Sequence, residues 1–169
     1  MTWGVVGGGG IGARVAGVAN ALGCRVLMCR RKKEEVYTQA SIDEICREAD
    51  IISLHVPLND ETRGMINRER IAKMKDGVIL INVARGAVAD EEALAEAVES
   101  GKIGGLGIDV YSAEPFPKEH AFTRILSREN VCLTPHMAWG AYEARNRCVE
   151  EIGKNISAFF AGETRNRIV

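Results

Sequence analysis

The chain has 169 residues, of which 46% are hydrophobic and 27% charged, and its 22 basic and 23 acidic residues give a net charge of −1. This composition is that of a folded globular protein, and it excludes disordered, collagen-like and membrane-spanning classes. The balanced charge gives no overall attraction to nucleic acid or to a membrane surface, so neither is an expected partner. The length fits one domain with a sizeable core.

The cysteines and the N-terminal segment indicate the compartment. Five cysteines form an odd number without CxxC spacing, namely Cys24, Cys29, Cys46, Cys132 and Cys148. We interpret them as reduced thiols rather than as disulfides or metal ligands. No signal-peptide pattern opens the chain, and no apolar run reaches the ~20 residues that a bilayer crossing needs. The sequence therefore predicts a cytoplasmic protein.

Short apolar runs alternate with amphipathic stretches, which is the pattern of βαβ units. Strands are predicted over Trp3–Val6, Arg25–Cys29, Ile51–His55, Val78–Val83, Gly105–Val110 and Val131–Thr134. Helices are predicted over Ile11–Leu22, Ser41–Ala49, Asn67–Met74, Asp90–Ser100 and Ala141–Ala161. Because the strands are apolar on both faces, helices should cover both sides of the sheet. The predicted fold is α/β, with a doubly wound parallel sheet of six or more strands.

Capping signals support three of the helix ends. Ser41 and Glu44 have capping-box spacing at the start of the second helix. Asp90 is an N-cap residue for the fourth helix. Gly162 suits a left-handed stop after the last helix.

A glycine loop separates the first strand from the first helix. Gly7, Gly9 and Gly12 form a GxGxxG motif, in which the first glycine permits a tight turn, the second a close approach of pyrophosphate, and the third helix–strand packing. The helix N-terminus adds N–H donors and a positive dipole end. We predict that Gly7, Gly9, Gly10, Ile11 and Gly12 bind a dinucleotide. The alternative is a flexible glycine turn without a ligand.

A basic run, Arg30–Lys33, begins about eighteen residues after the motif, where such folds usually place an acidic residue on the adenosine ribose. Arginine offers forked donors and positive charge, which suit a 2′-phosphate. Arg30 and Arg31 therefore favour NADP(H) over NAD(H). The alternative is that the run is only solvated and that Glu34 or Glu35 accepts the hydrogen bonds of the ribose.

Four residues with reactive or charged side chains follow the later strands: Arg85, Asp109, Glu114 and His136. Ligands bind at the carboxyl edge of an open parallel sheet, so these residues should converge there. A guanidinium can hold a carboxylate and polarise a carbonyl, while a histidine can exchange a proton. A carboxylate beside the histidine would raise its pKa. This set of side chains suits a carbonyl substrate that carries a carboxylate.

Five motifs in order make the chain similar to a known family. They are Trp3–Gly12 (WGVVGxGxIG), His55–Gly64 (HVPLNDETRG), Ile79–Gly86 (ILINVARG), Gly105–Val110 (GLGIDV) with Glu114-Pro115, and Leu133–His136 (LTPH). With them the chain resembles the D-isomer-specific 2-hydroxyacid dehydrogenases over nearly its whole length. The resemblance implies a Rossmann fold that binds NAD or NADP and acts on a 2-oxo or 2-hydroxy acid.

The resemblance also implies residue roles. Arg85 would bind and polarise the 2-oxo acid, His136 would be the acid/base, and Glu114 would pair with His136. Asp109 would orient the nicotinamide carboxamide. The cofactor groove would be lined by Pro57, Thr62, Val83, Ala84 and Ala138. The alternative for each of the three catalytic candidates is an ordinary loop residue.

Three further residues have other expectations. His120 lies in a charged segment without a motif and should be solvated. His55 should be a packing or backbone-bonded residue rather than a catalyst. Trp139 could wall either the substrate pocket or a subunit interface.

Two features depart from the family pattern. Arg30 replaces the usual Asp. Family members have about two domains, whereas residues 1–169 correspond to the dinucleotide-binding domain, and Arg165–Val169 is similar to a family C-terminus. We therefore expect the N-terminal substrate domain to be absent and the isolated chain to have little or no activity.

These observations predict part of an NAD(P)-dependent oxidoreductase that transfers hydride to or from a 2-oxo/2-hydroxy acid of the glyoxylate, hydroxypyruvate or glycerate type. A homodimer is expected, because dimer contacts in the family lie largely on the cofactor domain. The alternative is a non-catalytic dinucleotide-binding interaction or regulatory module. Oxidation of a one-carbon acid such as formate is less favoured.

Overall fold

The computed structural model describes residues 1–31 and 36–168. Lys32, Lys33, Glu34 and Glu35 of the predicted ribose-binding segment lie outside the described residues, as does Val169 at the C-terminus. The chain divides into two compact units, Met1–Pro135 and His136–Val169.

The first unit is built on a seven-stranded sheet in the order β3-β2-β1-β4-β5-β6-β7, with every neighbouring pair parallel. The strands are β1 Thr2–Val6, β2 Arg25–Cys29, β3 Thr38–Gln39, β4 Ile51–Leu54, β5 Val78–Asn82, β6 Ile103–Ile108 and β7 Val131–Leu133. The predicted doubly wound parallel sheet and its six strands are confirmed. The sequence reading missed β3, because two residues are too few to show a period.

Four α-helices connect these strands, and their positions agree with the prediction to within one or two residues. They are α1 Gly10–Ala21, α2 Ile42–Glu48, α3 Arg68–Lys73 and α4 Glu91–Glu99. Two short 3-10 helices, Gly86–Val88 and Ala121–Ile125, follow β5 and β6.

Alternation along the strands gives the sheet two apolar faces. Val5 points to a small cluster in which Ala16 and Ala19 of α1 pack against β1 and β2. Val6, the next residue, points to a larger cluster on the other side. That cluster includes Ile45, Ile52, Leu80, Leu94 and Phe122, and it holds α2 and α4 on the sheet. Helices therefore lie on both faces, as predicted.

The predicted capping box of α2 is confirmed. The Ser41 hydroxyl accepts the Glu44 backbone N–H at 3.2 Å, and the Glu44 carboxylate accepts the Ser41 N–H at 2.7 Å. Hydrogen bonds from Ser41 lower the pKa of Glu44 below its usual range. Asp90 caps α4 through a single bond, in which its carboxylate accepts the Ala93 N–H at 3.0 Å.

The second unit consists of a turn and one long helix. Helix α5 spans Tyr142–Phe160, and Gly162 follows it with φ +74°, the predicted left-handed stop. Large apolar side chains of α5 are exposed: Val149, Ile152, Ile156, Phe159 and Phe160. Within the described parts of the chain, no helix is both long and apolar enough to cross a membrane.

The packing of α2 on β1 predicts a stability effect at Gly4. A Cβ added there would lie 2.3 Å from Ile45 Cγ2 and 3.2 Å from the Ala49 Cβ, both in the buried core. We expect Gly4→Ala to lower the free energy of unfolding by about 1–3 kcal/mol, because the added methyl group would overpack the core. Urea denaturation measures this change.

Gly153→Ala in α5 is the control, since an added Cβ there meets no atom within 4 Å. It should leave stability unchanged or raise it by up to about 1 kcal/mol. Wild-type stability in Gly4→Ala would contradict the packing argument.

Candidate active site

A cavity of about 490 Å³ lies at the carboxyl ends of β1, β2 and β4. The strand order reverses between β1 and β4, and ligands bind at such a point in open α/β sheets. One wall is the glycine loop, Gly7–Gly9, together with Arg30 and Arg31 at the end of β2. The opposite wall is the segment from His55 to Met65.

The glycine loop leaves no room for side chains where the backbone packs and leaves open space where a ligand would approach. Gly7 has φ +106°, and a Cβ there would lie 2.5 Å from the His55 carbonyl oxygen. A Cβ on Gly12 would lie 1.8 Å from the Gly7 carbonyl oxygen. At Gly9 and Gly10, by contrast, an added Cβ would meet no atom within 4 Å. These residues fit a dinucleotide pyrophosphate.

Helix α1 presents its N-terminus to the same space. The helix begins at Gly10 after the N-cap residue Gly9, which has no side chain to supply a capping oxygen. Its first turn contains no acidic residue. The first backbone N–H groups of a helix have no intrahelical acceptor, and the helix dipole favours an anion there. Ile11, the second residue of the helix, is exposed at this end.

Arg30 lies directly over the glycine loop. A Cβ on Gly8 would come within 2.8 Å of the Arg30 Cδ and 3.1 Å of its Nε, so the glycine provides the space for this side chain. Arg31, the next residue, forms an ion pair with Glu61 of the opposite wall. The two arginines singled out in the sequence thus both line the cavity.

The wall that contains Glu61 is held by hydrogen bonds. The Thr62 hydroxyl donates to the Pro57 carbonyl at 2.6 Å and accepts the Asn59 N–H at 2.9 Å. The Asn59 side chain accepts the backbone N–H groups of Glu61 and Thr62 at 3.0 and 3.1 Å. Thr62 is buried, and the two hydrogen bonds of its hydroxyl fix the turn. This turn forms part of the cavity wall.

The loop after β5 is fixed by a buried amide. Asn82 accepts the Ala84 N–H at 3.0 Å through its side-chain oxygen and donates to the Arg85 carbonyl at 3.0 Å. Arg85 itself is exposed, with one guanidinium N–H bonded to the Ala84 carbonyl at 2.7 Å. Val83 and Ala84 lie in this loop rather than in the lining of the cavity. Asn82 was not singled out from the sequence, although a polar residue ending an apolar strand is a signal.

The Arg85 loop packs directly on the loop that carries Glu114. A Cβ on Gly86 would lie 2.0 Å from the Tyr111 carbonyl carbon and 2.2 Å from the Ser112 nitrogen. Glu114 is exposed and accepts the Tyr111 N–H at 2.9 Å. The two candidate substrate loops therefore meet through backbone, with no side chain between them.

Asp109 is the buried carboxylate of this edge. It is 4% exposed, follows β6, and accepts the Thr134 hydroxyl at 2.6 Å. Its backbone N–H donates to the Asn82 carbonyl at 3.0 Å. The Tyr111 hydroxyl donates to the Thr134 carbonyl at 2.9 Å, and burial, with the nearby Asp109 and Glu114, raises the pKa of Tyr111.

His136 begins the second unit in an unusual conformation. Its φ is +51°, a left-handed value that is strained for a residue with a side chain. The Trp139 indole N–H donates to the His136 carbonyl at 2.7 Å and closes this turn, which also contains the exposed Ala138. Trp139 thus has a local role that neither sequence-based alternative included.

His55 is held by its backbone and buried by the glycine loop. Its N–H donates to the Val6 carbonyl at 2.7 Å. Both ring nitrogens are buried and have no hydrogen-bond partner among the described residues. Burial lowers the pKa of the His55 imidazole below its ordinary 6.5. This agrees with the expected packing role.

The expectation that His120 is solvated is wrong. Its side chain is 8% exposed and pairs with Glu91 of α4 at 3.1 Å. Its Nδ1 accepts the Phe122 N–H at 3.2 Å, which leaves the Nε2 proton for Glu91. The same carboxylate accepts the Ser112 N–H at 2.9 Å. Local sequence could not reveal this burial, because the partner Glu91 lies 29 residues away. Phe116 also packs against the ring.

The burial of His55 predicts a dependence of stability on pH. Because the folded-state pKa is lowered, the unfolded chain takes up the proton first, and stability falls as the pH drops below about 6.5. The loss continues down to the folded-state pKa. We expect His55→Phe and His55→Leu to reduce the change in urea midpoint between pH 7.5 and 5.5. A wild-type slope in both variants would contradict this account.

Comparison with known proteins identifies relatives of the whole chain. The family model described as the NAD binding domain of D-isomer specific 2-hydroxyacid dehydrogenase matches residues 1–138. A hydroxypyruvate reductase of Thermotoga maritima is 44% identical over 158 residues, which are 92% of this chain and 51% of that protein. The chain spans about half the length of the curated relatives that it matches.

Solved structures of ligand complexes show the same fold. A D-lactate dehydrogenase from Aquifex aeolicus, complexed with NAD and lactic acid, has a TM-score of 0.90 and 40% identity, over 96% of this chain and 54% of that one. An acyclic imino acid reductase in complex with NADPH and D-Arg has a TM-score of 0.88 and 34% identity, over 99% and 53%. The sequence, the glycine loop and these similarities show that the chain belongs to the D-isomer-specific 2-hydroxyacid dehydrogenase family, as its NAD-binding domain.

Proposed function

We propose that this chain binds NADP(H), and NAD(H) less tightly, in the cavity at the β1/β4 switch point, and that it is the cofactor half of an enzyme that reduces short 2-oxo acids. The observation that carries the proposal is the glycine loop. It is closed by backbone contacts at Gly7 and Gly12 and open at Gly9 and Gly10, beside the N-terminus of α1. Such a loop accepts pyrophosphate without any side chain.

The preference for NADP(H) is supported by charge at the ribose end of the cavity. Arg30 and Arg31 both line it, and forked guanidinium donors suit a phosphate. An acidic residue at this point would accept hydrogen bonds from the 2′-hydroxyl and repel a 2′-phosphate. Arg30 does the opposite.

For the reaction we propose the roles that the family motifs imply. Bound reduced nicotinamide supplies the hydride that reaches the keto carbon. Arg85 holds the substrate carboxylate and polarises the keto group, and Asp109 orients the carboxamide of the cofactor. His136 gives its proton to the keto oxygen, and Glu114 is the carboxylate partner of His136.

The substrate and the assembly are also proposals. The name of the Thermotoga maritima relative, hydroxypyruvate reductase, supports hydroxypyruvate as the 2-oxo acid, with glycerate as the product. A relative from Korarchaeum cryptofilum named glyoxylate reductase supports glyoxylate, which would give glycolate. Because the chain spans half the length of its relatives, we propose turnover for the full-length protein rather than for these residues alone. The five free thiols support a cytoplasmic location, and we propose a homodimer.

Nucleotide titration tests the cofactor proposal. We expect NADPH to bind more tightly than NADH, and Arg30→Gln to weaken NADPH about 10-fold while changing NADH about 2-fold or less, since only NADPH carries the 2′-phosphate. Isothermal calorimetry of the purified chain measures both affinities. Arg145→Gln in α5, outside the cavity lining, is the control.

Equal or tighter binding of NADH by the wild-type chain would contradict the NADP(H) preference. Absence of binding by either nucleotide would contradict the proposed function altogether.

The role of His136 is tested in the full-length gene product. We expect His136→Ala to abolish reduction of hydroxypyruvate and glyoxylate, because the variant lacks the group that protonates the keto oxygen. The dissociation constant for NADPH should stay within about 2-fold of the wild-type value. Steady-state assays and calorimetry measure the two properties. Loss of cofactor binding would instead mean that His136 is structural. Tight binding without turnover in the wild-type full-length protein would favour a dinucleotide-binding regulatory module.

A further inference from the structure

Two oppositely charged side chains meet across the nucleotide cavity. Arg31 follows β2 on one wall and Glu61 lies in the turn after β4 on the other, and their side chains form an ion pair. Both residues line the cavity. Their side chains are 76% and 73% exposed, which places the pair at the mouth. A nucleotide that occupies this space meets both charges.

The position of Glu61 is fixed by its backbone. Asn59 accepts the Glu61 N–H at 3.0 Å, and the Thr62 hydroxyl ties the same turn to the Pro57 carbonyl at 2.6 Å. A carboxylate on a turn held in this way is preorganised at the cavity mouth, whereas one on a loose loop could move away from an incoming anion.

Few charged groups belong to the part of the cavity lining that the structure describes. The described lining contains three charged side chains, those of Arg30, Arg31 and Glu61. His55 also lines it, but burial lowers the pKa of its imidazole and favours the neutral form. Burial also raises the pKa of the Cys29 thiol, which stays protonated. Among these described side chains, Glu61 therefore opposes one of the two positive charges.

We propose that Glu61 is a specificity-determining residue of the cofactor site: it occupies Arg31 in the free protein and opposes the 2′-phosphate of NADP(H), so it limits the preference for the phosphorylated cofactor. This inference rests on the proposed function, in which the cavity binds NAD(P)(H). A 2′-phosphate carries up to two negative charges and competes with the carboxylate for the same guanidinium.

Neutralising Glu61 acts on the two cofactors differently. NADPH gains an unpaired Arg31 and loses a repulsion, whereas NADH has no charge at the 2′ position. The pair is exposed and screened, so the gain is modest, and Glu61→Gln should bind NADPH about 3- to 10-fold more tightly with a change of about 2-fold or less for NADH. The exposed position also means that the variant should fold normally.

The experiment compares four proteins by calorimetry with NADPH and NADH, at low and high salt. They are the wild-type chain, Glu61→Gln, Arg31→Gln and the double variant. Glu48→Gln is the matched control, because Glu48 forms a similarly exposed ion pair with Arg25 outside the cavity lining. Circular dichroism checks that each variant is folded.

We expect the NADPH-to-NADH affinity ratio to rise in Glu61→Gln. The rise should be smaller when Glu61→Gln is added to Arg31→Gln, and smaller at high salt than at low salt. Glu48→Gln should leave the ratio unchanged. An unchanged or lower ratio in Glu61→Gln, with a wild-type chain that binds both cofactors, would overturn this inference alone. A wild-type chain that binds neither nucleotide would overturn the proposed function as well.

Discussion

The site depends on a steric constraint, the contact between the glycine loop and the end of β4. A Cβ on Gly7 would overlap the backbone oxygen of His55. A Cβ on Gly12 would overlap the backbone oxygen of Gly7. These contacts bring the ends of β1 and β4 together, and α1 starts at Gly10 directly after Gly9, which lines the cavity. Because backbone contacts fix this geometry, it is rigid, and the space at Gly9 and Gly10 remains for the ligand.

The same principle organises the candidate substrate loops of the first unit. Gly86 brings the loop after β5 against the Tyr111–Ser112 backbone, and a buried Asn82 satisfies the polar groups on either side of Arg85. An unpaired buried amide would be costly, so Asn82 holds one loop conformation. The exposed side chains of Arg85 and Glu114 can then change conformation while the backbone that carries them stays fixed. Preorganisation of this kind is what positions catalytic groups.

Local sequence predicted what depends on local physics. Apolar runs gave the six longer strands, and the Ser41 capping box and Gly162 marked helix ends, because each is a property of neighbouring residues. The glycine loop was also predicted, because the positions that need glycine lie within one short motif. The burial of His120 was not, because it depends on Glu91 packing from another element. The position of Glu61 opposite Arg31 likewise follows from the strand order, which local patterns do not encode.

In the proposed site, different groups serve cofactor binding and cofactor choice. The pyrophosphate end uses backbone N–H groups and glycines, which any dinucleotide engages equally. The ribose end uses exposed charged side chains, which contribute little to the stability of the fold. Substitutions at the mouth can therefore shift the preference between NAD(H) and NADP(H) without disturbing the sheet or the glycine loop. Under the proposed function, the described charges that bear on selectivity are Arg30 and Arg31 on one wall and Glu61 on the other, rather than the single residue that follows β2.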